Sequence, residues 1–202
     1  YILQPTQNTV EYDQPQPVVK EARRKSIRIP LQADIPTLDP GMGEDSATIE
    51  VVEQLFLGLT DFDPDTFEVL PELATDWSPS GDGRTYTFNL RKGVEWTDGR
   101  PVTAHDIEWA IKRNVKPETA SPYAYVLYPL QNAEAVNQGK EKNASKLGVR
   151  ALDDYTVQFR LEKPAGYFPA MAGLWTYRPL PRWAIEKHGN DNWTAPGNIV
   201  TN

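Results

Sequence analysis

Apolar positions along this chain fall into two periods, one helical and one extended. Ile49, Val52, Phe56 and Leu59 recur at three- and four-residue spacing, which predicts a helix over about 46–58 with one apolar face. Glu50 and Glu53 sit toward its positive end, and Gly58 is placed to stop it. From Arg84 to Arg91, Tyr86, Phe88 and Leu90 alternate with Thr85, Thr87 and Asn89, the pattern of a half-buried strand. Val94-Glu95-Trp96 reads as its partner, with Asp98-Gly99 as the next turn. Thr103-Ala104-His105-Asp106 has the spacing of a capping box and predicts a helix to about Asn114. A hairpin follows: Val149 to Leu152, a turn at Asp153-Asp154, then Tyr155, Val157, Phe159 and Leu161 on one face. Short helices are expected near 167–173 and from Arg182 to His188, the second between Pro181 and Gly189.

The N-terminal region differs. Residues 1 to about 24 are rich in Gln, Pro, Thr and Val without a sustained period, and read as a tether or a surface strap. Ser26 to Leu31 alternates and predicts a first strand, and 34–43 has the Pro, Asp and Gly density of a long loop. No internal repeat is visible. Helices and strands mix without strict βαβ alternation, so the fold class is α+β or an irregular α/β lobe.

Composition narrows the function. The 202 residues are 39% hydrophobic and 24% charged, with a net charge of -7, which disfavours a nucleic-acid surface. The one local basic run, Arg23-Arg24-Lys25, borders the polar tail. There is no cysteine, hence no disulfide and no thiolate ligand, and this suits an oxidising compartment. His105 and His188 are the only histidines, too few for a His-rich zinc site. The chain opens Tyr1-Ile2-Leu3-Gln4-Pro5 with neither Met nor a signal-peptide pattern, so a targeting segment is expected to have been removed ahead of it.

Several segments read together carry more than any one alone. They are Pro71-Glu-Leu-Ala-Thr-Asp-Trp77, Asp82-Gly-Arg-Thr-Tyr-Thr-Phe-Asn-Leu-Arg91 and Gly93-Val-Glu-Trp-Thr-Asp-Gly-Arg-Pro-Val-Thr-Ala-His-Asp106. Upstream stand Leu38-Asp39-Pro40 and Leu55-Phe-Leu-Gly-Leu59; downstream, Thr119-Ala-Ser-Pro-Tyr123, Leu152-Asp-Asp-Tyr-Thr156, Pro179-Leu-Pro181 and Trp193 to Asn202. Over about residues 26–202 the chain resembles the family 5 extracellular solute-binding proteins of ABC importers. Thr119 to Tyr123 and the ending Pro196-Gly-Asn-Ile-Val-Thr-Asn202 look most like the oligopeptide-binding branch.

The resemblance implies a periplasmic-binding-protein-like fold of class II, in the cluster with an extra domain. Two lobes joined by a hinge would enclose the ligand. Family members are more than twice as long, so this chain would be a first-lobe fragment with the second lobe absent. The implied division is a tether over 1–25, the start of the first lobe over 26–45, an extra α+β domain over 46–150, and a return to the first lobe over 151–202. The implied function is capture of oligopeptides by backbone recognition and hinge closure, with no bond broken and no cofactor or metal. Expected partners are the peptide, the membrane subunits of an ABC importer, and the missing C-terminal half as a cleaved or split piece of the same protein. The expected location is the periplasm or the outer face of the cytoplasmic membrane, with lipid anchoring ahead of residue 1 as an option.

Three positions match family ligand contacts. Tyr123 would pack its ring on the ligand and offer its hydroxyl, although a Tyr after Pro is also an ordinary loop anchor. Glu44 would neutralise a basic ligand side chain, and Ser46 would offer hydrogen bonds; an acid and a Ser just before a helix also serve as caps. The groups that hold peptide termini are expected beyond Asn202.

Other constellations carry less. His105, Asp106 and Glu108 do not converge on one helix face, and Asp106 is explained by capping. Asp61, Asp63 and Asp65 alternate like calcium ligands, but the loop's expected Gly is absent after them. Trp96 and Trp109 fit the core pattern. Two alternatives stay open: an oligosaccharide ligand held by stacked Trp, and a truncated interaction module that transports nothing.

Overall fold

Helix α1 (Ser46–Leu55) starts on Asp45, whose carboxylate accepts from the Thr48 N–H at 2.9 Å and the Thr48 hydroxyl at 2.7 Å. It ends one turn before Gly58, because Phe56 turns to extended backbone and buries its ring against Trp193. The predicted helix over 46–58 is therefore shorter at its C-terminal end. Strands β1 (Thr60–Phe62) and β2 (Val69–Pro71) form a separate two-stranded ribbon.

The main sheet has four antiparallel strands in the order β3 (Ala74–Pro79), β4 (Thr85–Leu90), β6 (Thr156–Arg160), β5 (Val149–Asp153). β4 holds the centre because its alternate residues Tyr86, Phe88 and Leu90 are buried on one face. Its neighbours correct the sequence reading. Val94-Glu95-Trp96 does not pair with β4; Glu95 bridges Pro101 instead, and β4 pairs with β3 and β6. Trp96, 1% exposed, enters the core from that small loop. The β5–β6 hairpin turns at Asp154-Tyr155, one residue later than predicted, because a register shift between Ala151 and Asp153 absorbs a residue.

The core is aromatic. Phe159 meets Phe88 edge to face at 5.6 Å and Phe168 at 5.2 Å, and Tyr86 meets Phe168 at 5.2 Å. Burying each such ring contributes about 1.5–3 kcal/mol. Helix α2 (Ala104–Asn114) lies along the β5 edge, where the Glu108 carboxylate accepts from the Ala151 N–H at 2.8 Å. Its start is set as predicted: Asp106 accepts from the Thr103 N–H at 2.8 Å and also from Trp96 Nε1 at 3.3 Å. Helices α3 (Ala133–Asn137), α4 (Phe168–Met171) and α5 (Arg182–His188) complete the set.

This computed structural model describes residues 33–202, which fall in one compact unit, 32–202. The expected tether over 1–25, the Arg23–Lys25 run and the strand over 26–31 lie outside the described residues. The expected division after residue 150 falls inside β5, so residues on both sides of it share one sheet and one core.

Candidate functional site

The loop before α1 is fixed by a buried network around Asp39, 1% exposed. Its carboxylate accepts from the Gly41 N–H at 2.8 Å, Arg113 Nη2 at 2.6 Å, Arg113 Nη1 at 3.2 Å and Trp193 Nε1 at 2.9 Å. Arg113, 6% exposed, donates from Nη2 to Asn190 as well, at 3.0 Å. Buried charge persists only when it is paired and hydrogen-bonded, and here both partners are. The Ser121 hydroxyl donates to the Gly41 carbonyl at 2.5 Å, joining the Ser121-Pro122-Tyr123 turn to the same loop. Gly41 admits no side chain, since a β-carbon there would lie 2.3 Å from Asn114 Oδ1.

Tyr123 is half-buried, and its ring lies 5.2 Å from that of Trp175 at 74° and 5.5 Å from that of Tyr125. Tyr125 is 57% exposed. Trp175 also approaches the loop before α1, where a β-carbon on Gly43 would sit 3.9 Å from Trp175 Cδ1. Trp175 therefore joins the two segments that carry the three expected ligand contacts. Its Nε1 is covered and donates to no described residue.

Glu44 and Ser46 are exposed. Neither is the helix cap, a role that Asp45 fills; the Thr48 N–H and hydroxyl hold the Asp45 carboxyl below the usual carboxylate range. Their side chains make no hydrogen bond among the described residues, and neither does the Tyr123 hydroxyl. The structure thus gathers Tyr123 and the 43–46 loop around Trp175, without a direct bond between Tyr123 and Glu44 or Ser46. Trp175, Asp39, Arg113 and Ser121 were not singled out from the sequence as site residues. The motif Leu38-Asp39-Pro40 was the only signal for Asp39.

A second buried network clamps the exit of α1. Arg178, 4% exposed, donates from Nη1 to the Phe56 carbonyl and lies 3.8 Å from Glu72. The Glu72 carboxylate accepts from the Gly58 N–H at 2.5 Å, and Asn202 Oδ1 accepts from the Leu57 N–H at 3.2 Å. Burial pushes the Glu72 carboxyl up, against the opposing pull of Arg178. Three successive residues are thus held by side chains remote in sequence.

His105 lies 3.4 Å from Asp154 on the surface, and Asp106 is spent on the α2 cap. Asp63 stabilises its own turn by accepting from the Asp65 and Thr66 N–H groups at 2.9 and 2.8 Å. Among the described residues, no group of three or more His, Cys, Asp or Glu is arranged to hold a metal ion. No helix of the described residues is long and apolar enough to cross a membrane.

The family model for bacterial extracellular solute-binding proteins, family 5 (middle), matches residues 68–202. The chain is 40% identical over 172 residues to the periplasmic oligopeptide-binding protein OppA of Escherichia coli K12, covering 84% of this chain and 31% of that protein. It is 38% identical over 183 residues to the probable deoxycholate-binding periplasmic protein YgiS of the same organism, covering 90% of this chain and 34% of that protein. Among solved structures it is similar to Listeria monocytogenes OppA bound to peptide, with a TM-score of 0.80 and 31% identity over 84% of this chain and 33% of that one. The chain spans about a third of the length of the relatives it matches.

Proposed function

The chain belongs to the bacterial extracellular solute-binding proteins, family 5, and from that premise we propose that it forms one wall of an interlobe cleft capturing oligopeptides for an ABC importer. The observation that carries this reading is the meeting of Tyr123 and the loop before α1 at Trp175. Rings of Tyr123, Tyr125 and Trp175 offer apolar faces to a ligand, and the Tyr123 hydroxyl is a donor not engaged by described residues. Glu44 and Ser46, relieved of capping by Asp45, are available for a basic side chain and a peptide group. The rest of the cleft, including the groups that hold peptide termini, comes from sequence outside the third of its relatives that this chain spans. Binding takes place outside the cytoplasm, closes the lobes about a hinge, and breaks no bond; the chain is a carrier and not an enzyme.

The test is native mass spectrometry of the full-length protein with a pool of tri- to pentapeptides. Peptide adducts that are released on denaturation are expected, with occupancy about tenfold lower in Tyr123→Ala, in line with the loss of one packed ring and one hydrogen bond. Absence of adducts, or occupancy unchanged in both Tyr123→Ala and Trp175→Ala, overturns the reading. The similarity to a probable deoxycholate-binding protein supports a second reading, a steroid carboxylate lying on the same rings. Displacement of peptide by deoxycholate would select that reading.

A further inference from the structure

A pocket of about 420 Å³ opens where β5 and β6 meet α2 and the 144–148 loop. Its lining includes Lys112, Gln131, Ser145, Arg150, Gln158 and Arg160, and none of Glu44, Ser46 or Tyr123. Arg150 stands opposite Gln158 in the sheet register, and Arg160 follows Gln158 by two residues, so the two arginines are diagonal neighbours on one sheet face. Like charges placed so repel, yet no carboxylate among the described residues lies within ion-pair distance of either, and neither guanidinium donates a hydrogen bond there. This occurs in a chain whose net charge is -7.

The floor beneath them is rigid. The Gly148 N–H donates to the Gln131 carbonyl at 2.8 Å, the Gln131 N–H to the Arg160 carbonyl at 2.8 Å, and the Arg160 N–H to the Gly148 carbonyl at 2.9 Å. That closed triangle needs glycine, since a β-carbon on residue 148 would lie 2.1 Å from the Arg160 carbonyl oxygen. Glu108 is the one acid among the lining residues, and its two oxygens are taken up by Lys112 and the Ala151 N–H.

We propose that this pocket binds a phosphate-type oxyanion, with Arg150 and Arg160 as its two guanidinium donors and Gln131, Ser145 and Gln158 as neutral hydrogen-bonding groups at its wall. Two planar guanidinium forks on a fixed sheet suit the several oxygens of one phosphate, and the anion relieves the repulsion between them. The volume exceeds that of a bare phosphate, so a phosphate monoester or a phospholipid headgroup also fits. The site is separate from the cleft described above and does not depend on the peptide reading.

The experiment is titration calorimetry of the full-length protein with inorganic phosphate at low ionic strength, on wild type, Arg150→Gln, Arg160→Gln and a Lys187→Gln control. Lys187 is exposed and lines no part of the pocket. Each arginine variant should weaken phosphate binding about tenfold, the worth of one charge-assisted interaction, and the control should leave it within twofold. Far-ultraviolet circular dichroism of the variants checks that they are folded. Absence of phosphate binding to the wild type, or equal weakening by the control, overturns the proposal. Sedimentation with phosphatidylglycerol vesicles separates the sources. Vesicle binding that both arginine variants abolish and phosphate displaces assigns the site to a headgroup, whereas phosphate binding without vesicle binding assigns it to a soluble phosphate.

Discussion

Removing the Asp39 carboxylate tests the buried network that holds the loop before α1. Asp39→Ala deletes the acceptor of four hydrogen bonds from Gly41, Arg113 and Trp193, at 2.6–3.2 Å. Arg113, 6% exposed, then keeps only Asn190 at 3.0 Å and a marginal 3.5 Å contact with Asn114. Breaking a buried pair from one side costs about 3–5 kcal/mol, because a charge is left without its partner. With a urea m-value of about 2 kcal/mol per molar, the unfolding midpoint should fall by about 1.5–2.5 M. Urea titration of the full chain, followed by tryptophan fluorescence and far-ultraviolet circular dichroism, reads the shift. The double variant Asp39→Leu with Arg113→Met removes both charges and should recover at least about 2 kcal/mol relative to the sum of the two singles. A loss below about 1 kcal/mol in Asp39→Ala, or strict additivity in the double variant, would refute the claim that this pair organises the loop.

Three further outcomes are expected. Glu72, whose carboxyl is raised by burial, binds more protons folded than unfolded; its contribution is therefore present below the unfolded value near 4.5 and is lost as pH rises through the higher folded value. Unfolding free energies measured from pH 4.5 to 7 should show wild type losing ground against Glu72→Gln as pH rises, and a gain over that range would contradict the assignment. Asp106→Ala leaves the Thr103 N–H and Trp96 Nε1 without their acceptor and should cost about 2–3 kcal/mol by thermal denaturation, against little effect for Asp154→Ala on the surface. Gly148→Ala forces a β-carbon into the Arg160 carbonyl and should cost about 2 kcal/mol or more, with faster amide exchange at Gly148 and Arg160, which donate in the floor triangle.

Elements with a local pattern were legible in the sequence. The alternation of Tyr86, Phe88 and Leu90 marked β4, the Thr103 to Asp106 spacing marked the start of α2, and Pro181 with Gly189 bracketed α5. β3 left no such mark, because Ala74–Pro79 is an edge strand with only Ala74 fully buried, and edge strands need no alternation. The Val94–Trp96 segment misled because a short alternating run beside a strand has the same pattern whether it pairs or only feeds Trp96 into the core.

The candidate site divides in the same way. Motif order along the chain pointed to Tyr123, Glu44 and Ser46 and to the family, all without coordinates. Sequence also determined that no cysteine chemistry is available. Only the tertiary structure decided that Asp45, and not its neighbours, caps α1, and that Trp175 lies near both Tyr123 and the loop before α1. It alone paired Asp39 with Arg113 and Trp193, and set Arg150 diagonal to Arg160. Periodicity and capping are written by neighbouring residues, whose backbone geometry repeats every two or 3.6 positions. A carboxylate finds its arginine 74 residues away only after sheet register and core packing have fixed where each can lie.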